Sequence, residues 1–243
     1  MTIKRLDHVS ATHLRPLTRL VLQRTIFPVS IPTRAHVAIS EPRLRQRLLA
    51  MGGVALLHVL VYVVVTRVTL LRPTSAFIDF RVGLDDKIPH LPWTWPAYWL
   101  PYVLVPIAAG VSTTRLGTRP FWRLILAWSG MIAIGGVIHL VWPTVAPWPM
   151  SPAATQRWYH NSALILPYAT LPSMHVGHVT LAALVAGTVF PALPVRATAF
   201  FLVIAAAVAT LTLKEHLVLD ALSGIALAAA VWVWWRRGAR CIA

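Results

Sequence analysis

Six long stretches after residue 47 are nearly free of charge, and nothing else in the chain restricts the fold as much. A segment that crosses a bilayer must satisfy its backbone N–H and C=O groups internally. It therefore forms a helix of about 20 mostly apolar residues. The stretches 48–71, 95–113, 121–142, 172–190, 196–213 and 216–235 meet this requirement. Of the 243 residues, 57% are hydrophobic and 12% charged. A soluble domain carries about 25% charged residues, so this chain has too little charge to coat a soluble globule. The expected fold is an all-α integral membrane protein, a six-transmembrane helical bundle. Residues 48–237 form it, flanked by a basic tail at 1–47 and a short tail at 238–243.

The charge that remains is uneven, with 22 Lys and Arg against 7 Asp and Glu, a net +15. On its own that balance suggests nucleic-acid binding. The apolar stretches argue against it, because the basic residues do not share a soluble face. One cysteine, Cys241, allows neither an internal disulfide nor a cysteine zinc site. Lys and Arg concentrate on the cytoplasmic side of membrane proteins. With six spans, sixteen basic residues fall on the side of the termini and six on the other. Both termini are then cytoplasmic, and the loops 72–94, 143–171 and 214–215 face outward. The basic tail lies against anionic lipid. An Ala-, Val- and Arg-rich chain of this kind suits a bacterial inner or plasma membrane.

Ionisable groups at membrane depth are expensive and point to function by default. Asp220 is the only carboxylate within an expected span, and His216 stands four residues before it. Positions i and i+4 of a helix share a face, so the two are expected to meet. A carboxylate at one imidazole nitrogen fixes the tautomer and frees the other nitrogen as nucleophile or base. A second element, Leu171-Pro172-Ser173-Met174-His175, opens the fourth span. Pro172 suits a first helical turn. A helix start beside the Ser173 hydroxyl is a ready phosphate cradle. Each element alone is more simply a polar helix end. Together, at the outer ends of their helices, they offer two histidines and a carboxylate to one pocket. One imidazole can then attack phosphorus while the other protonates the leaving oxygen.

Pro172-Ser173-Met174-His175 followed by His216-x-x-x-Asp220 resembles two motifs of the type 2 phosphatidic acid phosphatase superfamily. The closer resemblance is to its inositolphosphotransferase branch, which includes the aureobasidin-sensitive inositolphosphorylceramide synthases. Pro143-Thr144-Val145-Ala146-Pro147-Trp148 is similar to that branch's Pro-rich box. Residues 167–173 are similar to its lead-in, and Asp85-Asp86-Lys87-Ile88-Pro89 to an acidic-Ile-Pro element near the first spans. The resemblance covers about residues 72–235 and leaves the basic tail outside.

That resemblance implies a role for each matching residue. His216 forms a phosphohistidine, Asp220 orients it, and His175 serves as acid and then base. Ser173 and neighbouring backbone hold phosphate oxygens, and neither metal nor cofactor is required. The implied substrate is a membrane lipid phosphate, such as phosphatidic acid, a polyprenyl phosphate or a phosphoinositide-like lipid. Water or an alcohol is the acceptor. The sequence departs from the superfamily in its first motif. Its only Arg-Pro after the first span, Arg119-Pro120, falls on the cytoplasmic side, and Thr210 stands where an arginine is usual. Phosphate still needs positive charge, and Arg157 and Lys214 are the nearest outward-facing candidates. His178, one turn from His175, is a further candidate for the pocket, although it, His139 and His160 are first read as packed or solvated histidines. The competing readings are a transporter or channel, whose sites usually lie near the midplane, and a non-catalytic relative.

Overall fold

The computed structural model describes residues 44–145 and 170–240. The described residues form six α-helices, two single-turn 3-10 helices (Thr74–Ala76 and Pro92–Thr94) and no strand beyond one isolated bridge, Ile78 to Thr144. In chain order the helices are α1 (Leu44–Leu70), α2 (Trp95–Arg115), α3 (Thr118–Val141), α4 (Met174–Val189), α5 (Leu193–Thr212) and α6 (Val218–Arg240). Each apolar stretch thus holds one helix. Residues 1–43 of the basic tail, residues 146–169 of the long connection with Arg157 and His160, and residues 241–243 lie outside the described residues.

Four helices are long and apolar enough to cross a membrane: α1, α3, α5 and α6. Helix α4 is apolar but has 16 residues. Helix α2 contains Pro96, Pro101 and Pro106 together with four Trp and Tyr residues. The outward surfaces are apolar, with Leu56, Leu60, Ile107, Leu126, Val137 and Phe200 all exposed. A helix that is apolar all round belongs in a core or a bilayer, and α1 has most of its surface exposed. This is the pattern of a membrane protein.

Five of the six helix starts differ from expectation by two to four residues, and three of the shifts move a named side chain. Helix α1 begins at Leu44, and Arg47 belongs to the bundle rather than to the tail. The Arg47 side chain is buried, donates to the Leu116 carbonyl at 2.7 Å and lies over the Phe121 ring. Pro172 precedes α4 instead of occupying its first turn, because Ser173 takes the capping position. Helix α6 begins at Val218, two residues after His216.

The helices alternate in direction, which gives the bundle two ends. At one end the start of α1 meets the α2–α3 turn through Arg47 and Leu116. The end of α6 joins them, as the Trp235 indole N–H donates to Pro120 O. At the other end Ile78 N–H donates to Pro143 O, and Leu91 N–H to Thr212 O. Between the ends, α4 packs against α6, α5 and α2, while α3 bridges α1 and α6. Leu124, Trp128, Met131, Leu181, Val185, Ala228 and Trp235 form the main core.

Lipid is as apolar as leucine, so burial does not drive such helices together; close packing does. Gly177 of α4 and Gly224 of α6 meet at the closest crossing. A Cβ on Gly224 would overlap the Ser173 carbonyl oxygen. These two glycines let the start of α6 press against the start of α4.

Candidate active site

The α4–α6 crossing joins the two sequence elements read as chemical. Ser173 N–H donates to Asp220 C=O at 2.8 Å, across 47 positions of sequence. Ser173 is fully buried as the N-cap of α4, and its hydroxyl oxygen accepts from Val176 N–H at 3.4 Å. Such a cap satisfies one of the orphan N–H groups of a helix start. His139 on α3 fastens the preceding residue, with its Nε2 3.0 Å from Pro172 O.

His216 and Asp220 do meet, by a different route from a shared helix face. Glu215 N–H and His216 N–H both donate to Thr210 O, which ends α5 in a tight turn. Lys214 adopts a left-handed backbone with φ of 62° in that turn. The chain then enters α6 with Asp220 in its first turn. The Asp220 carboxylate reaches back, and its Oδ2 accepts from Leu217 N–H at 2.8 Å. This is the carboxylate half of a capping box. The same Oδ2 lies 3.6 Å from His216 Nδ1, an ion-pair distance beyond hydrogen-bond range. Asp220 is fully buried, and its Oδ1 has no hydrogen-bond partner among the described residues. Catalytic hydrogen bonds are often long before substrate binds.

His175 is the second residue of α4, in its first turn beside this crossing. Its Nδ1 is 3.2 Å from the Tyr102 hydroxyl. The Tyr98 ring stacks on it at 4.3 Å and 26°, and the Tyr102 ring meets it edge-on at 4.6 Å. The buried Nε2 of His175 has no hydrogen-bond partner among the described residues. His175 and His216 are within electrostatic reach of each other.

The loop between α1 and α2 braces the turn that carries His216. Asp85 is 4% exposed and caps α6 from outside the helix: its Oδ1 accepts from Val218 N–H at 2.8 Å. Its Oδ2 accepts from Val82 N–H at 2.8 Å. Lys214 donates to the carbonyls of Asp85 at 2.8 Å and Ile88 at 2.6 Å. The Lys214 ammonium is therefore committed to loop carbonyls, where sequence suggested a phosphate ligand. His90, in the same loop, has its pKa lowered by burial and by the Lys214 charge. Thr144 closes the long connection, its hydroxyl oxygen accepting from Thr170 N–H and Leu171 N–H, both at 2.9 Å.

Comparison with family models, curated proteins and solved structures finds no match to this chain.

His178 turns away from this cluster. Its Nδ1 accepts from the Trp128 indole N–H at 2.7 Å, and its Nε2 lies 2.9 Å from His58 Nδ1. It is a packed core histidine in a Trp128–His178–His58 chain. Arg157 lies outside the described residues. Among the described residues no group of three or more His, Cys, Asp or Glu could hold a metal ion.

Sequence reading missed Tyr98, Tyr102 and the bracing role of Asp85. The spacing of Tyr98 and Tyr102, four apart on an apolar helix, was a usable signal for a polar face on α2. Nothing in the sequence pairs that face with α4.

Proposed function

We propose that the protein is a membrane-embedded lipid phosphatase or phosphotransferase that works through a phosphohistidine. The observation that carries this reading is the Ser173 N–H to Asp220 C=O bond. It joins the Pro-Ser-x-His element to the His-x-x-x-Asp element, with His216 Nδ1 turned to the buried Asp220 carboxylate. The Pro-rich box and the acidic-Ile-Pro element reach the same end of the bundle, through Thr144 and Asp85.

In the reaction proposed, Asp220 holds the Nδ1 proton of His216, and Nε2 attacks phosphorus. The N–P bond forms as the bond to the lipid oxygen breaks, and His175 Nε2 supplies the proton that oxygen takes up. His175 then removes a proton from water or an alcohol, which attacks phosphorus and releases His216. The carboxylate stabilises the developing imidazolium in a water-poor setting where such contacts are strong. The helix start at Ser173 offers its dipole to phosphate oxygens. Lys214 adds positive charge beside His216; a direct bond to phosphate would take its ammonium from the Asp85 and Ile88 carbonyls.

All six helices are proposed to span the bilayer, with the site outward and both termini cytoplasmic in a bacterial inner or plasma membrane. Arg115, Arg119, Arg123 and Arg196 stand in the helix ends that flank the α2–α3 and α4–α5 turns, opposite His175 and His216, which supports that orientation. A reporter fused after Arg237 is expected to read cytoplasmic, and a periplasmic signal reverses the assignment.

The chemical test uses the purified full chain in detergent with phosphatidic acid and polyprenyl phosphate as substrates, with and without EDTA. Phosphate release is expected from wild type and absent in His216→Ala. A phosphohistidine is expected to accumulate in His175→Ala and to be absent from His216→Ala. Full turnover in a folded His216→Ala overturns the mechanism.

A further inference from the structure

Helix α2 touches α4 where His175 sits, and it brings hydroxyl groups to that contact from its apolar first half. Tyr98 is buried, and Tyr102 stands one turn further along the same face. Both rings contact the His175 imidazole, and the Tyr102 hydroxyl is the group at its Nδ1. The imidazole is thus held on one edge and one face, while its buried Nε2 has no partner among the described residues.

A histidine that cycles a proton on one nitrogen needs the other nitrogen fixed. Otherwise the ring can flip or change tautomer between the two half-reactions. The usual device is an oxygen that accepts from Nδ1–H.

We propose that Tyr102 is the positioning residue for His175: its oxygen accepts from Nδ1–H and so confines proton exchange to Nε2. This rests on the enzymatic reading above. The Nδ1 proton stays on Nδ1 in both states of the ring. Nε2–H gives its proton to the leaving oxygen, and bare Nε2 later takes one from water or alcohol. Tyr98 stacks beneath the ring and keeps its plane, so the pair on α2 does for the acid–base histidine what Asp220 does for the nucleophile. The titratable groups within electrostatic reach of this assembly are His216 before α6, His178 on α4, His58 and Tyr62 on α1, and Glu215, the last two acting on Tyr102. Helix α5 has only Arg196, at its far end.

The test is the pH dependence of phosphate release from dioleoyl phosphatidic acid by the full chain. Tyr102→Phe removes one oxygen and keeps the ring. It is expected to lower kcat at least about tenfold, a part of the 10²–10⁴-fold that a positioned acid–base group contributes. KM should be unchanged, the kcat–pH profile displaced, and the phosphohistidine longer-lived after quenching. A higher KM with unchanged kcat and profile overturns the inference, since Tyr102 would then only line the lipid path. An unchanged profile overturns it as well.

If Tyr102→Phe does not fold, ¹⁵N-histidine spectra of the unaltered chain decide. Neutral His175, assigned by comparison with His175→Gln, is expected to carry its proton on Nδ1, and a proton on Nε2 overturns the inference. No phosphate release by the unaltered chain overturns the enzymatic reading itself, and full turnover in His175→Ala overturns the acid–base role of His175. Loss of turnover there, beside a normal Tyr102→Phe profile, overturns the Tyr102 assignment alone.

Discussion

The two ends of the bundle use polar residues in opposite ways. At the end with both described termini, several arginines answer a helix end or an aromatic ring. Arg123 lies over the Trp234 ring and donates to its carbonyl, Arg115 lies over Phe190, and Arg196 donates to Gly187 O. Cations favour the C-terminal ends of helices, where carbonyls are left over. At the other end the capping groups are carboxylates, Asp85 and Asp220, at the start of α6. That end keeps buried polar atoms without partners, Asp220 Oδ1 and His175 Nε2. A buried polar atom left unsatisfied costs free energy, and such costs collect at functional sites. The arginine end has such an atom too, Arg123 Nε, but only at the other end do unpartnered atoms of an imidazole and a carboxylate lie together.

This contrast gives an order of expected effects. His216→Ala should lower turnover at least about 10³-fold with little change in melting temperature, because it deletes the covalent route of the proposed mechanism. Parallel phosphate-release assays and thermal melts check the separation, and an equal loss in both would erase the difference between the ends.

Gly224→Ala should come next. Its methyl group meets the Ser173 carbonyl, a backbone atom that cannot swing aside. Overpacking of this kind costs about 1–3 kcal/mol, and the widened crossing should also impair turnover. Gly238→Ala is the contrasting variant at the other end. There the obstruction is the flexible Arg123 guanidinium, so both melting and turnover should stay near wild type.

Asp85→Ala should cost about 1–3 kcal/mol, since it leaves the Val218 and Val82 N–H groups without their acceptor. Asp85→Asn keeps one acceptor oxygen and should cost less. Denaturation and phosphohistidine yield, measured together, separate a loss of fold from a loosened His216 turn.

The smallest effect is expected for Arg123→Ala. A cation–π contact that is not fully desolvated is worth about 1 kcal/mol, and turnover should not change. A large drop in turnover would mean that the arginine end acts on the site.

The candidate site was only partly legible in the sequence. His216, Asp220, His175 and Ser173 could be named because charge and imidazole are rare at helix ends in an apolar chain. The His216–Asp220 meeting was expected for the wrong local reason. Their separation of four suggested one helix face, whereas His216 precedes α6 and Asp220 folds back as its cap. Lys214 was legible as a nearby charge but not as a clamp on the α1–α2 loop. His178 was placed with His175 by periodicity, and the structure gives it to Trp128 and His58. In each case the decisive partner lies far away in sequence.

The sequence by itself determined six apolar helices and the arginine-rich turns, because bilayer length and backbone satisfaction act on each segment separately. It also determined which residue types were available for chemistry. Tertiary structure alone decided which of them meet. Gly177 against Gly224 brings Ser173 to Asp220, Asp85 holds the start of α6, and Tyr102 reaches His175. Helix packing without a hydrophobic drive depends on local shape and single hydrogen bonds between distant segments, and neither is written in the periodicity of any one of them.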